Sequence, residues 1–198
     1  MRSWVRAPVA VVVAASAVTW ASGALAATRT TASVYEAFTS QGVIVPRVEV
    51  KSGSCWENSI VLERDDAWRC FIGNDIYDPC FSSQRASGVV VCVQAPWSGT
   101  GIEIRLTKPL PKPFREPAPS TSLEPWGIQI ASGQDCIISS GMGPAAIHGR
   151  NLNYYCSPHF KIGLWGFPDR TTQPWTIFIA PLNTTALSQR VAIRHAWM

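Results

Sequence analysis

The chain has 198 residues, 17 Lys and Arg against 13 Asp and Glu, and a formal net charge of +4. So mild a surplus, with no clustered Lys and Arg, argues against nucleic acid or an anionic membrane surface as partner. The length suits one domain, or two small ones, with a sizeable core.

The N-terminus reads as an address. Arg2 and Arg6 form a basic start, Val9 to Ala21 is an apolar Ala/Val run, and Ala24-Leu25-Ala26 supplies the small-x-small pattern of a cleavage site. The run is shorter than the ~20 apolar residues of a membrane span, so residues 1–26 are expected to be a secretory signal, cut after Ala26. Residues 27–52 are expected to hold a mobile Thr/Ser/Ala start, a helical turn over 34–38, and an edge strand over 43–50 around Pro46.

Residues 53–107 form a cysteine-rich half. Ser59 to Leu62 is a strand candidate. Asp65-Asp66 ahead of Ala67 to Phe71 predicts a capped short helix over 65–71, since carboxylates favour helix N-termini. Gly73-Asn74-Asp75 and Asp78-Pro79 are turn signals. Gly88 to Gln94 and Ile102 to Thr107 read as strands, the second alternating cleanly. Residues 108–125 hold six of the 15 prolines and predict an extended connector. Residues 126–198 predict an antiparallel meander: strands over 126–131, 136–139, 153–156, 161–165, 175–180 and 191–197, with turn signals between them. Trp126, Ile128 and Ile130 share a face, as do Trp175, Ile177 and Ile179. The fold class expected is mainly β, an antiparallel small barrel or sandwich with one or two short helices, stapled by disulfides.

An even count of six cysteines behind a signal reads as a disulfide framework, and six allow 15 pairings. The sequential scheme, Cys55–Cys70, Cys80–Cys92 and Cys136–Cys156, closes three short loops, each worth roughly 3 kcal/mol on the chain-entropy model. No C-x-x-C pair supports structural zinc.

Several segments share their spacing of Trp, Cys and Pro with one group of proteins. They are GSCW (53–56), DAWRC (66–70), NDIYDPCF (74–81), LTKPLP (106–111), PWGIQIASGQDC (125–136), YYC (154–156), LWGFPDR (164–170) and PWTI (174–177). Together they resemble small secreted, cysteine- and tryptophan-rich actinobacterial proteins of unknown function. The resemblance covers most of 53–197 and implies a secreted, disulfide-bonded bacterial domain. It implies no activity.

The stretch Ser54–Phe81 is the densest in chemistry. Asp65, Asp66, Asp75 and Asp78 are calcium candidates by type, but no D-x-D-x-D-G loop organises them, and caps and turns account for them. With Glu57 and Glu63 they offer carboxylates for a glycosidase pair, which needs two facing each other across a sugar-sized cleft. His148, His159 and His195 follow no metal spacing, and there is no G-x-S-x-G elbow. No catalytic residue, metal site or cofactor is assigned. Of Trp56, Trp68, Trp97, Trp126, Trp165, Trp175 and Trp197, most are expected in the core against disulfides and turns, with Trp97 the best exposed candidate. Asn183-Thr184-Thr185 matches the glycosylation sequon, idle in a bacterial protein. The function expected is that of a secreted non-enzymatic binding protein, its partner a cell-wall glycan or another secreted protein. The alternatives are a small glycan-directed hydrolase using carboxylates of 57–78, and a lysozyme-inhibitor-like protein. The second rests on a loose similarity of the Cys136/Tyr155-Cys156 meander to small periplasmic inhibitors.

Overall fold

Thirteen strands and no helix make up the described part of the chain. The computed structural model describes residues 29–113, 123–139, 146–147, 150–156, 162–181 and 189–198. In chain order the strands are β1 (Thr31–Ser33), β2 (Arg47–Asn58), β3 (Ala67–Ile72), β4 (Asp75–Ser82), β5 (Val89–Cys92), β6 (Thr100–Leu106), β7 (Gly127–Ile130), β8 (Asp135–Ile138), β9 (Ala146–Ile147), β10 (Arg150–Cys156), β11 (Ile162–Asp169), β12 (Thr176–Pro181) and β13 (Gln189–Trp197).

They close into two barrels. β2 to β6 run as an antiparallel meander, and β6 returns to pair with β2. An odd number of alternating strands leaves the first and last pointing the same way, so this closure has to be parallel, and it is: Arg47 pairs with Thr100 and Gly53 with Leu106. The second barrel runs β7, β8, β10, β11, β12, β13 and closes by β13 on β7. Its strand number is even, and the closure is antiparallel. Closure removes the open edges that an antiparallel sheet otherwise exposes.

Each barrel is filled by the inward half of an alternating pattern. In the first, Trp68, Val90 and Ile104 pack with Cys55, Cys70, Cys80 and Cys92. In the second, Ile128, Ile130, Tyr154, Leu164, Ile177 and Ile193 surround Cys136 and Cys156. Of the two expected shared faces, Ile177 and Ile179 point into this core with Trp175 packed against it, and so do Ile128 and Ile130, but Trp126 departs from them and lies in a separate apolar layer. Cysteine sulfurs meet in three pairs, Cys55–Cys70, Cys80–Cys92 and Cys136–Cys156. In each pair the two residues stand directly opposite on neighbouring antiparallel strands.

A third apolar layer joins the barrels. Ala67, Phe81, Val91 and Val93 face out of the first barrel and pack under Phe38, Leu62 and Trp126. Tyr35 sits between the Phe81 and Trp126 rings, at 5.1 and 5.6 Å between centroids. Arg64 fastens the segment that carries Tyr35: its guanidinium donates to the Tyr35 carbonyl at 2.7 Å and lies over the Phe81 ring.

Five expectations are corrected here. The helical turn over 34–38 is absent; that stretch is a loop bridged at Phe38 to Ile44. The helix over 65–71 is absent too. Asp65 and Asp66 form a turn and Ala67 to Ile72 is β3, because Trp68 and Cys70 alternate inward with Arg69 and Phe71 outward. Ser59 to Leu62 is a turn, not a strand: the Ser59 hydroxyl accepts from the Val61 and Leu62 amides at 3.2 and 3.0 Å. The strand expected over 43–50 starts at Arg47 and runs on to Asn58; β6 pairs with it over Arg47–Gly53 and β3 only from Ser54 onward. The Thr/Ser/Ala start expected to be mobile holds β1, which lies parallel on β13, with Thr30 donating its hydroxyl to the Ile193 carbonyl at 2.7 Å. The middle of the Pro-rich connector, His148, His159 and Asn183 lie outside the described residues. No helix among the described residues is long and apolar enough to cross a membrane.

Candidate functional site

Arg69 sits at the centre of β3 and is flanked by a bulge on each side. In β2 the register passes from Cys55 opposite Cys70 to Glu57 opposite Arg69, leaving Trp56 as the extra residue. In β4 it passes from Cys80 opposite Trp68 to Tyr77 opposite Cys70, so that Asp78 and Pro79 together face the position of Arg69. A bulge twists its strand and re-aims side chains, and bulges concentrate beside functional sites. Here the two bring a carboxylate from each neighbouring strand to the same guanidinium.

Glu57 accepts from Arg69 Nη1 at 3.1 Å. Asp78 Oδ2 lies 3.8 Å from Arg69 Nε. That is an ion pair by charge but too long for a hydrogen bond, and Nε is buried without a partner. The Asp78 carboxylate is instead held from the other side, where the Ser59 hydroxyl donates to Oδ1 and the Ile60 amide to Oδ2 at 3.2 Å. Its side chain is 4% exposed, against 33% for Glu57. Burial pushes the Asp78 carboxyl up to about 6; the bonds from Ser59 and Ile60 and the charge of Arg69 only moderate the rise. Desolvation therefore outweighs the nearby cation, as it does where a carboxylate loses water faster than it gains partners.

Beside this polar triad is an exposed apolar face. Trp56 (38% exposed), Phe71 (38%) and Ile76 (57%) stand on three adjacent strands. The Trp56 and Phe71 rings lie 5.6 Å apart, and Arg69 Cζ lies 5.2 Å over the Trp56 ring. From here a cleft of about 620 Å³ runs between the barrels, lined by Arg69, Ile76 and Asp78 on one side and Trp126, Ile137 and Ile138 on the other. Trp126 is fully buried in the layer between the barrels, yet its indole N–H has no partner among the described residues.

The remaining candidates disperse. Asp65 is exposed in a turn, and Asp75 is exposed at the start of β4. Asp66 takes a two-pronged pair from Arg64, at 2.8 and 2.6 Å. Glu63 is exposed. None of these joins Glu57 and Asp78. The described residues hold no carboxylate cluster of metal-binding shape; the one such group is Cys70, Cys80 and Cys92, and all three sulfurs are in disulfides. His195 Nε2 lies 2.8 Å from the Ser33 hydroxyl, and burial lowers its pKa. The ring stacks on Trp197 at 4.1 Å, with no carboxylate bonded to it among the described residues. A Ser–His contact of this kind fastens β1 to β13 and lacks the third group that orients a catalytic base.

Among the tryptophans, Trp68, Trp126 and Trp165 are in the core. Trp97 is 37% exposed, its ring 5.3 Å from that of Trp197. Trp56 is as exposed as Trp97 and was not singled out: it is the extra residue of a bulge, which no alternation pattern marks. Arg69 and Ser59 were missed as well, because neither type nor spacing marks a residue that holds a carboxylate. No protein-family model, curated protein or solved structure matches the chain.

Proposed function

We propose that this chain is a secreted, non-enzymatic binding protein of the cell wall, and that its partner is a glycan held on the Trp56–Phe71 face. The observation that carries this reading is the pairing of two exposed aromatic rings with an adjacent polar triad of Arg69, Glu57 and Asp78. A sugar ring presents an apolar face and a rim of hydroxyls. Aromatic faces suit the first, and a charged donor beside two acceptors suits the second. Secretion is supported by the signal-like start and by three disulfides, which persist in oxidising compartments.

Co-sedimentation with purified cell-wall glycan tests it. The wild type should pellet with the glycan, and Trp56→Ala with Phe71→Ala should weaken binding by about thirtyfold, each of the two rings being worth roughly 1 kcal/mol. Both side chains are exposed, so the variant should keep its circular dichroism and melting behaviour. Equal retention of the two proteins, or none of the wild type, would sink the reading.

A glycan-directed hydrolase is the second reading. It rests on Asp78, which holds its proton up to about pH 6 at the mouth of the same cleft. Against it, Glu57 and Asp78 both engage one arginine instead of facing each other across the cleft. Release of reducing ends by the wild type but not by Asp78→Asn would favour it.

A further inference from the structure

Four of the six cysteines point into one barrel. Cys55, Cys70, Cys80 and Cys92 come from β2, β3, β4 and β5 and share a core with Trp68, Val90 and Ile104. They are joined as two disulfides, and the two bonds lie against each other. The Cys70, Cys80 and Cys92 sulfurs are all within 4.8 Å of one another, and the Cys55 sulfur is bonded to that of Cys70. The third disulfide, Cys136–Cys156, is in the core of the other barrel.

We infer that the first barrel, once reduced, is a metal site in which these four cysteines hold one zinc ion as thiolates. The inference is independent of the glycan reading. A dithiol reductant supplies two electrons and two protons to each disulfide and frees four thiols. Zn²⁺ then displaces four protons as four Zn–S bonds form. Geometry favours a single ion. Zinc sits about 2.3 Å from each thiolate in a tetrahedron, which sets the sulfurs about 3.8 Å apart. An ion centred among three sulfurs no more than 4.8 Å apart lies within about 2.8 Å of each, so small side-chain rotations complete the bonds. Cys55 stands directly opposite Cys70 on the neighbouring strand and supplies the fourth ligand. Chemistry favours zinc, because soft thiolates select it over calcium or magnesium, which take oxygen. Trp68, Val90 and Ile104 keep water from the sulfurs. Cys92 lines the cleft between the barrels, which gives the ion a way in. Strand pairing closes the barrel all the way round, so the ligands stay together when the sulfur bonds open. The four ligands come from four strands, and for that reason no C-x-x-C spacing announces them. The first barrel is thus cross-linked in either redox state, by disulfides where the surroundings oxidise and by zinc where they reduce.

The test uses the full protein, reduced with dithiothreitol, freed of reductant without air, and titrated with Co²⁺ and then Zn²⁺. Four thiolates around cobalt give intense visible bands, and zinc should bleach them at one ion per chain. Competition with a chromophoric chelator should give a zinc dissociation constant below about 10⁻⁷ M. Cys92→Ser should weaken zinc binding at least about tenfold, whereas Cys136→Ser with Cys156→Ser should leave it unchanged. Zinc should also raise the melting temperature of the reduced protein and leave that of the oxidised protein in place. This last readout separates a site in the folded barrel from loose chelation by an unfolded chain. Reduced protein without cobalt bands overturns the inference. Unweakened binding by Cys92→Ser overturns it too, as does a comparable loss in the Cys136 and Cys156 variant. Zinc binding that leaves the melting of the reduced protein unmoved, or that is equally tight in the oxidised protein, also overturns it.

Discussion

Replacing Asp78 with Asn should remove a pH dependence from the stability of this protein. Burial raises the Asp78 carboxyl from 3.8 to about 6 in the folded state, whereas the unfolded chain titrates near its ordinary value. Between those two values the folded state holds a proton that the unfolded state has released. The unfolded state thus binds fewer protons, and stability falls as pH rises through this window. The stabilisation is fully present below about pH 4 and is lost by about pH 6 to 7. A tenfold difference in proton affinity is about 1.4 kcal/mol, so the whole window amounts to roughly 3 kcal/mol. With the side chain 4% exposed, solvent screening takes little from it. For a chain of this size that corresponds to roughly 6–12 °C in melting temperature. The assay is urea unfolding of wild type and Asp78→Asn at half-unit steps from pH 4 to 7.5, with the disulfides intact. Asn keeps an oxygen for the Ser59 hydroxyl but presents an amide to the Ile60 N–H, so a constant offset of about 1 kcal/mol is expected. The informative quantity is the change in the difference between the two proteins. Every other titrating group, His195 included, is common to both and cancels. Parallel curves across the window would refute the assignment, and so would a wild type that gains stability relative to the variant as pH rises.

Three further outcomes follow from the packing. Gly53→Ala should cost about 2–3 kcal/mol in urea unfolding, because a Cβ there would lie 2.3 Å from the Phe71 carbonyl oxygen; Gly99→Ala, with open space around it, should be near neutral. Tyr154→Phe should cost about 1–2 kcal/mol, since the buried Tyr154 hydroxyl donates to the Pro125 carbonyl at 2.6 Å; an unchanged unfolding midpoint would contradict it. Limited reduction should isomerise the first barrel. Cys55 is the most exposed of its four cysteines, at 7%, so a thiol reductant attacks its sulfur and frees the Cys70 thiolate. The sulfurs of Cys70, Cys80 and Cys92 lie within 4.8 Å of one another, which lets that thiolate bond to Cys80 and release Cys92 as thiolate. Peptide mapping after alkylation should find Cys70–Cys80; recovery of free Cys55 and Cys70 beside an intact Cys80–Cys92 would refute the step.

The C-terminal barrel was legible in the sequence because its strands follow simple alternation between plain turn signals. Each of its six long strands overlaps a segment marked by that pattern, from Trp126 to Trp197. The first barrel was less legible where the chain departs from regularity. Asp75-Ile76-Tyr77-Asp78-Pro79 carries turn residues at both ends and reads as two turns, yet it is most of β4. Its bulge lets Asp78 and Pro79 share one position opposite Arg69, and no period-2 pattern survives that extra residue. Asp65-Asp66 before an apolar run looked like a helix cap. Local propensity favoured a helix there, but Cys70 has to meet Cys55 across a strand pair, and tertiary pairing overrode it. Glu57 and Asp78 were both among the candidate carboxylates. What the sequence could not show is that Arg69 unites those two while Asp65, Asp66 and Asp75 turn elsewhere.

The two barrels also solve one geometric problem in two ways, and the difference decides where the aromatic face lies. A strand that closes a barrel is longer than its neighbours and changes partner along its length. β13 pairs with β12 over Gln189–Ala192 and with β7 from Ile193 onward. The edge that β12 leaves is taken by β1 at His195 to Trp197. β2 likewise pairs with β6 over Arg47–Gly53 and with β3 over Ser54–Asn58. Among the described strands, none takes the edge that β6 leaves beyond Gly53. That uncovered half of β2 carries the Trp56 bulge and Glu57. The N-terminal strap that seals the lip of the second barrel therefore has no counterpart on the first. The open lip of the first barrel is where an aromatic pair and the Glu57 carboxylate meet solvent beside Arg69, with Asp78 buried behind them, and it is there that the glycan reading seats its ligand.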